Sequence, residues 1–493
     1  MNLAVVTFTL YLVLTTALGY YGYLRYKRKG RTMESYALGG RSVRAYLMAL
    51  SEGASTWSGW IAVSFPALLY AGGLCEAWWA LCYIGGEILG WSVIAKRLAR
   101  YSRINGAISV PEFIERRSRD DTKLTKSLSA MAILIFFIFY AAGNLKAGMI
   151  TFEQCFHMPG FIALIIIAVL CAAYTAGGGY LSTIYTGILQ AILMLVFAIV
   201  VPIVALSHAG GIGGIVSAVE PAKLEIFGGE ILSLGGGLGA IALGSLMVNW
   251  WFGYFGQPHV LVRYMGIEKP GEVNHAILVS GLFMTILSMG GILLGLSGMA
   301  LEPGLENPDL LTPTLINTLL PPWLGGLMIA GILAAIMSSV AAFLQVSSTA
   351  VSEDLLPSFR EISNKKRIWI GRVVVVVVTI IASGVAYSSP MISHWVMTYG
   401  WMGLAATFGP TILLSLYWKG MNKWGAISGI TIGLVVTLLW ICYLQWICIA
   451  TGPAFVSSLI AIIIVSKLTG GPAKEWKDEV TKEMEDINRP LKE

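Results

Sequence analysis

The sequence predicts an all-α integral membrane protein of about 13 transmembrane (TM) helices, with a five-plus-five inverted-repeat core in which two helices are broken. Three observations predict this. The 493 residues are 56% hydrophobic and only 12% charged, with a mean hydropathy of +0.74, whereas soluble domains carry about 25% charged residues. Apolar stretches of the ~20 residues that cross a bilayer recur along the whole chain. Two of them are interrupted by small, polar and aromatic residues: Gly53-Ala54-Ser55-Thr56-Trp57-Ser58-Gly59-Trp60, and Trp250-Trp251-Phe252-Gly253-Tyr254-Phe255-Gly256-Gln257-Pro258-His259. Broken backbone persists at membrane depth only where it is buried in protein or lines a cavity.

Spans are expected at 3–23, 45–72, 76–98, 127–153, 158–176, 180–206, 233–257, 273–300, 322–350, 367–388, 393–417, 421–446 and 452–468. The first lacks a basic leader and is followed by Arg25, Lys27, Arg28, Lys29 and Arg31. That order predicts an uncleaved helix with its N-terminus outside. Thirteen crossings then place the C-terminus in the cytoplasm. Of 33 Lys and Arg, Lys223 falls in an outer loop and Lys146 within a span; the others lie at or near cytoplasmic ends, as the positive-inside rule requires. The expected location is the plasma (inner) membrane, multi-pass. The net charge of +6 is therefore an orientation signal, and nucleic-acid binding is not expected.

Setting aside the first span and the last two leaves ten, in two sets of five, each opening with an interrupted helix. An odd number per set inverts the second relative to the first. The expected organisation is 1–32, an extra N-terminal TM helix and basic loop; 33–206 and 207–420, the two five-helix repeats; 421–468, two C-terminal TM helices; and 469–493, a cytoplasmic charged tail that is helical or disordered. Matched breaks in two halves point to a secondary transporter with its site near the midplane.

Several stretches carry a family resemblance: Gly39-Gly40-Arg41-Ser42, Gly53-Ala54-Ser55 with Ser58-Gly59-Trp60, Glu76-Ala77-Trp78, Gly253-Tyr254-Phe255-Gly256-Gln257-Pro258-His259, Ala334-Ala335-Ile336-Met337-Ser338-Ser339, Ser352-Glu353-Asp354-Leu355 and Gly409-Pro410. Over roughly residues 35–440 the chain resembles the sodium/solute symporter family, and most of all its sodium/proline symporter branch. The resemblance implies alternating access and uptake of a small zwitterion, L-proline first, coupled to inward sodium flow. Another amino acid, a betaine or a quaternary amine is the alternative cargo.

Carried over by position, the resemblance places sodium between the carbonyls of Ala54, Trp57 and Ala335 and the hydroxyls of Ser338 and Ser339. Hard cations prefer such oxygens, and an unwound turn frees carbonyls. Serine pairs also let membrane helices approach closely or bond back to helix carbonyls. The chain departs from the branch at Thr56, where an aspartate is usual, and at Thr186-Gly187, where much of the family has an acid. Glu52, Glu87 and Lys146 instead introduce ionisable groups within spans, which are costly without a partner or a role. Two readings of these groups stand side by side: buried structural pairs with sodium as driver, the favoured one, or a titrating group that lets protons replace sodium.

By the same resemblance the substrate lies against Ser58, Gly59 and Trp60, with Trp250, Tyr254, Pro258 and Tyr140 closing the pocket and Trp57 narrowing it. Aromatic faces suit a small ring or its ammonium. Trp78, Trp79 and Trp91 are expected as interface anchors. His259 and Arg263 are expected to begin a cytoplasmic loop.

An enzyme is not expected: no metal-ligand cluster or nucleophile constellation is present, and Gly177-Gly178-Gly179 and Gly235-Gly236-Gly237 lack the Lys-Ser/Thr of a phosphate loop. A channel motif is absent, and a membrane-sensor version of such a domain would need a longer tail. Six cysteines show no metal spacing; Cys75 and Cys155 both fall near outward helix ends. The expected partners are a small-molecule substrate and the lipid bilayer, and a monomer suffices.

Overall fold

The structure, a computed structural model, describes residues 3–156, 158–227, 240–355, 362–389, 393–444 and 446–488. Among them the chain is helical throughout, apart from turns and one isolated parallel bridge between Val43 and Ile267. Nine described helices are long and apolar enough to cross a bilayer. Gly235-Gly236-Gly237 and the start of the expected 233–257 span lie outside the described residues.

The centre is the helix Pro322–Thr349, continued by a wide turn to Leu355; 94% of its apolar window is buried. It packs against Ala45–Gly59, Leu124–Phe156 and Gly160–His208. Small residues permit the approach: a methyl group on Gly331 would stand 2.8 Å from Phe197 Cβ. The N-terminal helix Leu3–Arg28 lies against Gly160–His208, where Gly22 meets the Ser182 backbone and Ser182 donates to the Gly19 carbonyl at 2.6 Å.

Two expected spans, 158–176 and 180–206, form one run, Gly160–His208. Its 49 residues would exceed 70 Å as a straight rod, more than two bilayer cores. The break is a single residue, Gly179, with φ 59 and ψ −142. Glycine fits there twice over. It tolerates positive φ, and any side chain would strike Tyr36 at 2.7 Å.

One end of the molecule is fastened by Arg41. Its guanidinium donates to Ser102 Oγ, Met265 O, Ser102 O and Ala107 O, and it pairs with Glu34 at 3.1 Å. Val43 O accepts from Glu268 N at 2.8 Å beside it. The entry to the first broken helix is thereby tied to the exit of the second. Charged hydrogen bonds contribute about 1.5–3 kcal/mol each. Arg41→Ala is therefore expected to lower stability by about 3 kcal/mol or more, read as a fall in the unfolding midpoint in detergent.

The charged tail forms the helix Lys474–Asn488. Val480, Met484 and Ile487 share a face at helical spacing and are buried. It docks on Lys96–Ile104, with Tyr101 donating to Glu483 at 2.7 Å and Arg119 pairing with Glu479 at 2.7 Å. All six cysteines are free, so Cys75 and Cys155 do not pair.

Candidate functional site

The first break begins at Ser58, whose φ of 44 and ψ of −168 leave the helix. A continuous helix would give the Gly59 N–H to the Ser55 carbonyl. Here that N–H donates to Asn144 Oδ1 at 3.0 Å, and Trp60 N–H turns back to Ser58 Oγ at 3.2 Å. A wide turn, Trp60–Ser64, then leads into the helix Phe65–Gly72. Gly59 has no room for a side chain, since a methyl group would lie 2.8 Å from Ile336 Cγ1.

The second break follows the helix Ala240–Trp251. A tight turn, Gly253–Gly256, ends in extended Gln257, φ −87 and ψ 104, before Pro258 starts the helix Pro258–Met265. Proline suits that first position because the missing N–H has no helical partner there. Gln257 Nε2 donates to the Trp401 carbonyl at 3.1 Å, tying the break to the helix Ser393–Tyr417.

Across the first break, Ser338 and Ser339 reach over from the central helix. Ser338 Oγ lies 2.5 Å from Ala54 O and 2.8 Å from Ala335 O; Ser339 Oγ lies 2.6 Å from Ser55 O and 3.1 Å from Ala335 O. Five oxygens, all neutral, thus gather where the helix ladder is open. This donor set fits a hard monovalent cation. The Trp57 carbonyl shares the Trp60 N–H with Ser58 Oγ.

Beside this cluster stands an aromatic box. Trp250 is its hub, with ring centroids 5.6 Å from Trp60, 4.3 Å from Tyr83 and 4.6 Å from Trp401. Tyr254 lies 5.5 Å from Tyr83 and 5.1 Å from Trp401, and Trp57 stands edge-on to Tyr83 at 4.3 Å. Tyr140 stacks on Phe343 at 4.2 Å. The rings enclose a cavity of about 10 Å³, room for roughly one water, walled also by Thr56, Asn249 and Thr398. Trp60, Tyr140 and Trp250 form its wall; Trp57 and Tyr254 back it, while Ser58, Gly59 and Pro258 belong to the broken backbone nearby. Two buried donors, Trp250 Nε1 and Asn249 Nδ2, have no hydrogen-bond partner.

The ionisable groups within spans find neighbours. Thr56 Oγ1 donates to Glu52 Oε1 at 2.5 Å, and Trp91 Nε1 donates to Glu87 Oε1 at 2.8 Å, where Ser280 also donates. The Glu52 and Glu87 side chains meet each other. Lys146 donates to the Ser389 carbonyl.

Some sequence expectations need correction. Trp91 is fully buried on Glu87, and Trp79 joins the box, 6.1 Å from Trp250, so neither is a simple interface anchor. His259 and Arg263 are buried within the helix Pro258–Met265 rather than opening a loop; the His259 ring lies among Phe137, Tyr140 and Phe343. Ser55, Tyr83, Asn144, Asn249 and Trp401 join this candidate site without having been singled out in the sequence. Asn144 offers a direct test. Asn144→Ala leaves the Gly59 N–H unpaired in a dry site, at a cost of about 1–3 kcal/mol. A drop of that size in the unfolding free energy is expected, with Asn144→Asp recovering part of it.

Comparison with known proteins places this geometry. The model of the sodium:solute symporter family matches residues 36–433. The high-affinity proline transporter PutP of Bacillus subtilis (strain 168) is 36% identical over 469 residues, 93% of this chain and 97% of that protein. A sodium/proline symporter of Staphylococcus aureus (strain bovine RF122 / ET3-1) is 33% identical over 492 residues, 96% and 94%. In fold, the chain resembles a Na+-coupled sialic acid symporter solved substrate-bound and outward-open. The TM-score is 0.80 at 20% identity, covering 95% of this chain and 98% of that one. MhsT in complex with L-phenylalanine is a more distant match, with TM-score 0.55 at 15% identity over 86% and 98%. With two broken helices, the first facing a serine pair, and a family model spanning most of its length, the chain belongs to the sodium:solute symporter family.

Proposed function

We propose that this chain is a secondary active symporter that imports L-proline on the sodium gradient by alternating access. One observation carries the reading: a cluster of five neutral oxygens on the first broken helix and the central helix lies beside an aromatic box with unused donors. The relatives named for proline transport cover almost the whole chain. Sodium bound at Ala54, Ser55, Ala335, Ser338 and Ser339 would supply positive charge next to the substrate's carboxylate. The Trp57 carbonyl, which accepts from Trp60 N–H with one of its two lone pairs, would be a further ligand. The box, Trp60, Tyr140, Trp250 and Tyr254 with Tyr83 and Trp401, has room for about one water as it stands, and on opening would hold the pyrrolidine ring by packing and its ammonium by cation–π contact. Asn249 Nδ2 and Trp250 Nε1 would donate to the carboxylate.

The repeats run 33–206 and 207–420 in this reading, with Leu3–Arg28 and the two C-terminal spans outside them. The protein sits in the plasma membrane with its N-terminus outside and C-terminus in the cytoplasm. One chain carries the complete site, so a monomer suffices. The decisive measurement is uptake of labelled proline into proteoliposomes under a sodium gradient at fixed pH. Saturable uptake, blocked by excess unlabelled proline and lost when sodium is replaced by choline, is expected. Uptake that ignores sodium and follows a proton gradient would overturn the sodium assignment.

A further inference from the structure

Away from the broken helices, the N-terminal helix and Gly160–His208 meet closely at Gly19 against Tyr174 and at Gly178 against Tyr23. Along that seam runs an apolar groove of about 600 Å³, walled by Thr16, Tyr20 and Tyr23 on one side and Leu170, Ala173 and Tyr174 on the other. It runs alongside eight and nine residues of the two helices, Thr16 to Tyr23 and Leu170 to Gly178, or about 10–12 Å. That is close to the depth of one leaflet of a ~30 Å hydrocarbon core. The N-terminal helix is mostly uncovered by protein, and Tyr20 is 60% exposed, so the groove lies open to lipid.

Its end is different in kind. Arg372 closes the groove and also walls a second cavity of about 390 Å³, which shares Tyr23 and adds Tyr26, Arg31, Asn364 and Lys365. Three cations therefore converge there, and no carboxylate is among the described lining residues. Arg372 spends one nitrogen on the Gly177 carbonyl at 3.2 Å, and its buried Nε has no partner. The guanidinium keeps an unused donor at the junction of an apolar slot and a basic cup.

We propose that this junction is a binding site for an anionic glycerophospholipid, with one acyl chain in the groove between the N-terminal helix and Gly160–His208 and the phosphate on Arg31, Lys365 and Arg372. Basic pockets between membrane helices recognise such headgroups. A guanidinium binds a phosphate through paired N–H donors. A free inorganic anion would satisfy the cup but leave the slot unfilled; a zwitterionic lipid would fill the slot but bring its own cation to the cup. Bound there, the lipid ties the N-terminal helix to Asn364–Ser388. The site is independent of the substrate reading.

The test uses the purified, delipidated full-length protein. Its unfolding midpoint is followed in detergent alone, with dioleoylphosphatidylglycerol, with dioleoylphosphatidylcholine, and with inorganic phosphate. Native mass spectrometry counts bound lipid in parallel. Phosphatidylglycerol is expected to raise the midpoint and to be retained at least tenfold over phosphatidylcholine. In Arg372→Ala/Lys365→Ala that preference should fall to near one. A second variant, Ala173→Trp, obstructs the slot and keeps the cations; it should lose the bound lipid while any response to inorganic phosphate persists. Equal retention of the two lipids by the wild-type protein, which needs no variant to fold, would overturn the proposal. So would a phosphate effect matching that of phosphatidylglycerol, or an undiminished preference in the double variant.

Discussion

Replacing Ser338 and Ser339 together by alanine is expected to abolish sodium-driven uptake at physiological sodium. The two hydroxyls are the central helix's side-chain contribution to the oxygen cluster, and each sits within 2.6 Å of a carbonyl at the first break, Ala54 or Ser55. A contact to a charged group contributes about 1.5–3 kcal/mol. Losing two therefore raises the sodium concentration for half-maximal uptake a hundredfold or more. Each single variant should show roughly a tenfold rise. The measurement is sodium-dependent uptake in proteoliposomes, with folding checked by the unfolding midpoint. An unchanged sodium dependence in the folded double variant would remove this cluster as the coupling site. The removed hydroxyls also bond to carbonyls, so a modest stability loss is expected alongside.

The second large effect is expected at Trp250. It touches Trp60, Trp79, Tyr83 and Trp401 and carries an unpartnered buried N–H. Aromatic anchors in desolvated pockets typically lose 2 kcal/mol or more on truncation. Trp250→Ala should raise the proline concentration for half-maximal uptake by about 30-fold or more. Trp250→Phe keeps an aromatic face but not the donor, and should fall between. Sodium affinity measured without substrate should change far less. If Trp250→Ala shifted sodium and proline equally, the box would be a structural support rather than a substrate wall.

Much of this was legible in the sequence because membrane helices advertise their own interruptions. Small and polar residues in a run that lipid would prefer apolar located both breaks, while Trp60, Tyr140, Trp250 and Tyr254 entered through the family resemblance, and the fold gathers them around one cavity. The missing parts have physical reasons. Which carbonyl a break liberates depends on which residue leaves the helix. Ser58 does so, and its position frees Ser55 while Trp57 stays engaged. No side-chain pattern encodes that choice. Tyr83 and Trp401 lie on helices that read as plain spans, 318 positions apart, and only tertiary packing brings them within 6.2 Å. His259 was misplaced because a polar ring after a proline looks like the start of a loop; the aromatic cage that buries it comes from two other helices. The charged tail showed no sequence sign of docking beyond three apolar residues at helical spacing.

The amide of Gly59 has a further consequence. The first break exposes a helix start of the kind that attracts an anion, yet the carboxamide oxygen of Asn144 already sits on it at 3.0 Å. The molecule therefore carries its own weak rival for that position. In the proposed reading the carboxylate goes to Asn249 Nδ2 and Trp250 Nε1, so Asn144 would keep the Gly59 amide satisfied throughout and leave it no pull of its own on an anion. The break would thus offer its carbonyls to a cation while its bare amide stays capped from within the fold.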